Sequence, residues 1–182
     1  MELRIADIVW SSRANGPGPR AVVWVQGCSL GCAGCFNPHT HDFQAGRWLP
    51  VPDLVEQLRG LPVQGLTISG GEPLQQARAV GALVSRLKAV TDFSVLLFTG
   101  FEWNEIQASS LRRAVVEQCD LVVAGRFQAG RQLGRNLLGS SNQTVHFVTR
   151  RYGPSDLEQV PPAEVLIAPN GDIVLTGVKP PL

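Results

Sequence analysis

The 182-residue chain predicts an α/β fold, an incomplete (β/α) barrel of parallel strands with helices outside. Between positions 21 and 124, short apolar runs alternate with segments of helical period. The runs are apolar throughout instead of at every second residue, as in strands buried on both faces and joined by right-handed crossovers. The chain is also shorter than the roughly 250 residues a closed eight-stranded barrel usually takes. The barrel is therefore expected to be open.

Leu3 to Val9 alternates loosely and reads as an edge strand before a turn at Asn15–Pro19. Ala21 to Val25 is a short β-branched run, a buried strand leading straight into Gly27. From there to about Pro50 the chain is rich in Gly, Pro, His and Asn without period, and residues 27–50 read as one long functional loop. Leu54, Val55 and Leu58 have helical spacing within a helix over Asp53–Leu61, with Asp53 at its N-cap. A strand over Leu66–Ser69 ends in Gly70-Gly71. It is followed by a long amphipathic helix over Leu74–Val90 with Val80, Leu83, Val84 and Leu87 on one face. Ser94–Thr99 and Leu121–Ala124 are further strands, separated by a helix over Trp103–Gln118 broken near Ser109-Ser110, and Thr144–Val148 adds one more strand. Residues 164–176 read as a hairpin, Val165–Ala168 and Ile173–Leu175 flanking Pro169-Asn170-Gly171-Asp172. Without repeats or a low-complexity linker, residues 1–182 are expected to form a single domain.

Apolar residues make up 44% of the chain and charged ones 17%, a globular composition. The net charge of +1 gives no electrostatic case for nucleic acid or an anionic membrane. Arg112, Arg113, Arg126 and Arg131 read as solvated surface. The N-terminal stretch MELRIADIVWSSR lacks a signal-type apolar core. No run approaches the roughly 18 apolar residues of a membrane span, so a cytoplasmic protein is expected.

In a reducing compartment, closely spaced thiols favour metal over disulfides. Cys28, Cys32 and Cys35 stand in a C-x3-C-x2-C run with Gly31 and Gly34 between them, which lets backbone wrap closely around a bulky group. Soft thiolates suit zinc or an iron–sulfur cluster. A zinc site made by the three cysteines with His39 or His41 fits the spacing, as does a cluster with one iron lacking a side-chain ligand. Cys119, on the helix side away from the strand ends, reads as a small buried hydrophobe.

Four segments follow strand ends: the cysteines after Val25, Ser69-Gly70-Gly71-Glu72-Pro73 after Ile68, Thr99-Gly100 after Phe98, and Gly125-Arg126 after Val123. Ligands in α/β folds sit at such ends, so these segments are expected to converge on one site. Two glycines let a ligand approach backbone closely, and the Glu72 carboxylate can accept hydrogen bonds from a cationic amine.

The stretch Asn15-Gly-Pro-Gly-Pro-Arg20 through Gln26-Gly27-Cys28 and on to Cys35-Phe36-Asn37-Pro38 resembles the N-terminal signature of radical S-adenosylmethionine (SAM) enzymes, above all those that activate anaerobic ribonucleotide reductase and other glycyl radical enzymes. The resemblance implies a radical SAM core and a [4Fe-4S] cluster on Cys28, Cys32 and Cys35. S-adenosylmethionine would chelate the open iron and be cleaved reductively to a 5′-deoxyadenosyl radical that takes a hydrogen atom from the substrate. It also implies a glycyl radical enzyme as protein substrate and an electron donor such as flavodoxin or ferredoxin. Because the same core hosts many reactions, a peptide, nucleotide or other small molecule is the alternative substrate, and a non-catalytic zinc or redox module is a more distant alternative.

The resemblance further implies cofactor contacts from Gly34 and Phe36 in the cysteine run, from Gly70, Gly71 and Glu72, and from Thr99. Thr99 reads equally well as a strand-ending, turn-capping threonine. Arg126 would fork onto the cofactor's carboxylate. Ala124 stands where many relatives carry an acidic residue. Leu138-Gly139-Ser140-Ser141-Asn142-Gln143 is similar to a segment of the reductase activases and suggests Asn142 as a contact, though a plain loop fits it equally well.

Overall fold

A computed structural model describes residues 1–167 and 170–178. Its centre is an open seven-stranded mixed sheet in the order β3-β1-β2-β4-β5-β6-β9. The strands are β1 (Glu2–Ser12), β2 (Arg20–Val25), β3 (Arg47–Pro50), β4 (Gly65–Gly70), β5 (Ser94–Thr99), β6 (Leu121–Ala124) and β9 (Thr144–Phe147). The helices are α1 (Val51–Arg59), α2 (Ala77–Lys88), α3 (Trp103–Gln107), α4 (Ser110–Val116) and α5 (Pro154–Glu158). Two small hairpins complete the molecule: β7 (Gln132–Arg135) with β8 (Leu138–Ser140), and β10 (Ala163–Ile167) with β11 (Ile173–Gly177). Ala168 and Pro169 of the expected turn lie outside the described residues. Among the described residues no helix is long and apolar enough to cross a membrane.

The β2, β4, β5 and β6 strands pair in parallel, as their apolar runs require, whereas β1, β3 and β9 pair antiparallel at the flanks. β1 is not an edge strand. Glu2–Ile5 pairs with Arg47–Pro50, the end of the expected loop, and this pairing of a four-residue strand across forty positions leaves no local signal. The helix expected from Asp53 begins at Val51 behind Pro50, and Asp53 supplies first-turn negative charge instead of a cap. The helix expected from Leu74 opens as a 3-10 turn over Pro73–Gln76, because the Glu72 side chain caps the Leu74 N–H. The break expected near Ser109 is present, with Ser109 Oγ capping α4 at Arg112 N–H.

Helices α1, α2 and α4 cover one face of the sheet. Leu54, Leu58, Val80, Leu83, Leu87 and Val116 pack there against Val23, Ile68, Val95, Leu97 and Val122. Cys119 belongs to this layer, with burial pushing its thiol up to about 12. The other face has only a small core, where Leu96, Leu121 and Val123 meet Leu137, Leu157 and Val160. The rest of that face borders a cavity.

The lower end of the parallel strands is tied by Arg20, which is completely buried. Its Nε donates to Thr67 Oγ1. Its Nη1 donates to Pro17 O, Ser94 Oγ and Tyr152 Oη, and its Nη2 donates to Leu66 O and Ser94 O. These acceptors are neutral, and burial lowers the guanidinium pKa from its usual value. The group therefore works as a many-armed donor and not as half of an ion pair. Arg20→Met strands these acceptors in a dry site. It should cost on the order of 3–5 kcal/mol and lower the melting temperature by about 10 °C, as read by thermal unfolding.

Candidate functional site

The carboxyl ends of the parallel strands open into a cavity of about 510 Å³. Cys28, Cys32 and Cys35 line it, together with Phe36, Gly70, Gly71, Glu72, Thr99, Gly100 and Gly125. All four strand-end segments thus reach one rim, whereas Gly34, Arg126 and Asn142 are not among the lining residues.

The cysteine loop is stitched to its surroundings at both ends. Gly27 N–H donates to Thr40 O and Cys28 N–H to His41 O, so residues 38–41 back the first cysteine. Between Cys28 and Cys32, Leu30 packs against the helix-side core and approaches Gly100 so closely that a Cβ there would meet it at 2.4 Å. Gly31 and Gly34 adopt φ of 64° and 72°, the left-handed turns that a loop doubling back through three thiols needs. The Cys28 sulfur accepts the Leu30 N–H, and the Cys35 sulfur accepts the Asn37 N–H at 3.4 Å. Such donors suit metal-bound thiolates. With no cation beside them, burial pushes the Cys28 and Cys35 thiols up from their usual range. Binding a soft metal centre would therefore release protons here. The donor set, three half-exposed sulfurs on one cavity with two amide donors already in place, fits an iron–sulfur cluster. The zinc alternative needs the cysteines gathered with His39 or His41. Both histidines line the cavity, and among the described residues no three His, Cys, Asp or Glu side chains, the three cysteines included, stand close enough to hold a metal ion as they are.

Gly70 and Gly71 line the cavity and are also required by the fold. A Cβ on Gly70 would meet Val25 N and O at 2.6 Å, and one on Gly71 would meet Gly27 O at 2.4 Å. The bare backbone is what lets Gly71 N–H reach Val25 O and Glu72 N–H reach Gly27 O. The glycines thus hold the start of the cysteine loop against the end of β4.

Glu72 is fully buried. Its Oε1 accepts Leu74 N–H and Thr99 Oγ1–H, and its Oε2 accepts Gly100 N–H, all at 2.7–2.8 Å. Oε2 keeps capacity for one further donor. Thr99 is committed as well, because its hydroxyl donates to Glu72 and accepts Phe101 N–H. Thr99 thus ends the strand and caps the turn, and it also borders the cavity.

Arg126 has a carboxylate partner within the chain. Its guanidinium already forks onto Glu105 at 2.7 and 2.9 Å and holds that carboxyl down at about 2. A carboxylate ligand would have to take the fork from Glu105. Asn142 donates to Arg126 O, while its Oδ1 is buried without a partner. The organiser of its segment is Gln143, which the sequence reading passed over. Gln143 accepts Gly139 and Ser140 N–H and donates to Gly125 O. Phe36 packs against Phe127 with ring centroids 4.3 Å apart and the planes tilted by 41°. Gly34 stands where a Cβ would touch Ala129 at 3.0 Å.

Three glutamines that hold the loop were also missed. Gln75 grips Ser29 by donating to its Oγ and accepting its N–H. Gln76 bonds Arg4 N–H, Arg4 O and Gln26 O, and Gln26 donates to His39 O and Asp42 O. The one cue was an adjacent pair of amides, Gln75-Gln76, one residue beyond Gly-Gly-Glu-Pro.

Burial, only partly offset by its hydrogen bonds and the Arg112 charge, raises the Glu72 carboxyl from 4.5 to about 7. A carboxyl whose pKa is higher folded than unfolded adds stability below the unfolded value, and that contribution is lost as pH rises through the folded one. Between pH 4.5 and about 7, the wild type should therefore lose stability relative to Glu72→Gln. Difference infrared titration should place the carboxyl midpoint near 7, and a midpoint in the ordinary range would mean that water reaches the group.

The 4Fe-4S single cluster domain family matches residues 14–146. The chain is 32% identical to the anaerobic ribonucleoside-triphosphate reductase-activating protein of Enterobacteria phage T4, across 72% of this chain and 85% of that protein. It is 33% identical to the protein of the same name from Vibrio cholerae (74% and 92%) and 30% identical to that from Pasteurella multocida (75% and 92%). QueE from Escherichia coli superposes with a TM-score of 0.49 at 20% identity, over 55% of this chain and 53% of that one. The chain belongs to the family of anaerobic ribonucleoside-triphosphate reductase-activating proteins, built on a 4Fe-4S single cluster domain.

Proposed function

We propose that this chain is a radical S-adenosylmethionine enzyme that activates an anaerobic ribonucleoside-triphosphate reductase by raising a glycyl radical in it. The observation that carries the reading is the shared cavity: three cysteines, Gly70–Glu72 and Thr99-Gly100 meet at the carboxyl ends of parallel strands. The names of the relatives supply the partner. The half-covered sheet is then the incomplete (β/α) barrel of a radical SAM core, with one domain spanning the chain. The enzyme works in the cytoplasm, where a flavodoxin or ferredoxin can deliver electrons.

Cys28, Cys32 and Cys35 would hold the [4Fe-4S] cluster, and three thiols would leave it room to take S-adenosylmethionine as a ligand. A bound and reduced cluster would supply the electron for reductive cleavage of S-adenosylmethionine, the chemistry by which hydrogen would be taken from the substrate glycine. Leu30, Gln75 and the bonds to Thr40 and His41 hold the thiols in register. Glu72 fixes Thr99 and Gly100, and the spare capacity of its Oε2 receives the cofactor's amine. Releasing Arg126 from Glu105 would offer a fork to the cofactor's carboxylate. Asn142 Oδ1, lacking a donor, is a further polar anchor beside that arginine. Phe36 and Phe127 wall off the cavity beside the cysteines and keep water from the reacting atoms.

Anaerobic reconstitution should load about four irons per chain. It should also give reductive cleavage of S-adenosylmethionine and a glycyl radical signal in electron paramagnetic resonance once the reductase is added. Serine at any one of Cys28, Cys32 or Cys35 should abolish the cleavage, while Cys119→Ser should leave iron content and turnover intact. Cleavage without a radical in the reductase would move the reading to a peptide, nucleotide or other small substrate. Stoichiometric zinc without turnover would end it.

A further inference from the structure

The β10–β11 hairpin turns a wholly apolar face outward. In its register Val165 faces Leu175 and Ile167 faces Ile173, so these four side chains share one face, and they are 49–72% exposed. The opposite face carries Glu164 paired with Thr176 and the partly buried Leu166 paired with Val174, and this face is anchored. Glu164 accepts Ser12 Oγ–H at 2.6 Å and Arg13 N–H at 2.9 Å, while Thr176 Oγ1 accepts Asn15 Nδ2–H at 2.8 Å. A hairpin ordinarily turns its apolar side to the core and its polar side to water. Here the face with Glu164 and Thr176 is bolted down, a second apolar face looks out, and none of the four residues on that outer face joins either core.

We infer that this apolar face, with the outer edge of β11, is the seat for the glycine-bearing segment of the partner enzyme, bound in extended form at the mouth of the cysteine cavity. This rests on the activase reading above. β11 lines the same cavity as Cys28, Cys32 and Cys35, so a chain laid along the hairpin arrives where a hydrogen atom would be taken. A cavity of about 510 Å³ is in the size range of one bound small ligand. A macromolecular substrate can therefore enter it only as a thin strand. Such a strand needs a free edge and apolar pockets for alternate side chains. The outer edge of β11 pairs with no strand among the described residues, and the four exposed side chains form the apolar floor. A glycine on the entering strand presents its α-hydrogens without a side chain in the way. A second copy of this chain on the same face would lie across the cavity mouth and shut it, which disfavours that occupant.

Val165→Ser/Ile167→Ser tests the seat. Neither residue lines the cavity, and both side chains are more than half exposed, so folding and cofactor cleavage in the absence of partner should match the wild type. Affinity of the reconstituted enzyme for the anaerobic ribonucleoside-triphosphate reductase of the same organism should fall by about tenfold or more, the loss expected for two buried aliphatic contacts. The yield of glycyl radical should fall with it, and Val165→Ile/Ile167→Val should restore both. Unchanged affinity and radical yield in the serine variant would overturn the inference and leave the activase reading standing. A wild type that cleaves the cofactor yet neither binds nor activates the reductase would overturn the activase reading itself. Self-association that the serine pair abolishes while reductase binding persists would assign the face to a second copy instead.

Discussion

A carboxylate without access to water sits at the upper end of the parallel strands, and the site is built around it. Glu72 follows the two glycines that close β4 against the start of the cysteine loop. Its oxygens hold Thr99 and Gly100 at the end of β5 and cap the turn leading into α2. Two strand ends, one helix entrance and the loop carrying Cys28 are fixed relative to one another by one side chain and its own backbone N–H. Burying a charge is costly unless donors surround it, and three donors do so here. They do not offset the burial completely, and the raised carboxyl pKa measures the remainder.

Arg20 plays the complementary part at the lower end of the same strands. It faces hydroxyls and carbonyls instead of carboxylates, so β2, β4 and β5 are joined there by a fan of donors. The two buried charged groups lie at opposite ends of the parallel core and are each satisfied by neutral partners. Neither depends on salt-sensitive pairing with the other. The exposed Arg126–Glu105 pair is of another kind, half open to solvent and able to exchange partners at modest cost.

What could be read in the sequence follows from how local the determinant is. β2, β4, β5 and β6 are buried on both faces, so their apolar runs announce them, and the cysteine spacing with the glycines after β4 announces the rim. β3 and the β7–β8 hairpin are three or four residues long and take their structure from distant partners or from tight turns at Asn136 and Leu137, which adopt positive φ without being glycine. Within the site, the residues expected to touch ligand were recognisable by type, but their hydrogen-bond partners were not. Glu105 reads as an ordinary helix-surface acid until the fold sets it against Arg126. The glutamines at 26, 75, 76 and 143 carry no charge and no period, and their role exists only in three dimensions.

Helices cover only one side of the sheet. That layer holds most of the apolar interior, so the molecule has a stiff back and a lightly furnished front. Changes in the pieces along the front, from the β7–β8 turn to the terminal hairpin, leave the rear packing alone. Such an arrangement separates durability from specificity: one reactive centre can be presented to differently shaped clients by refitting the front, with the frame behind it unaltered.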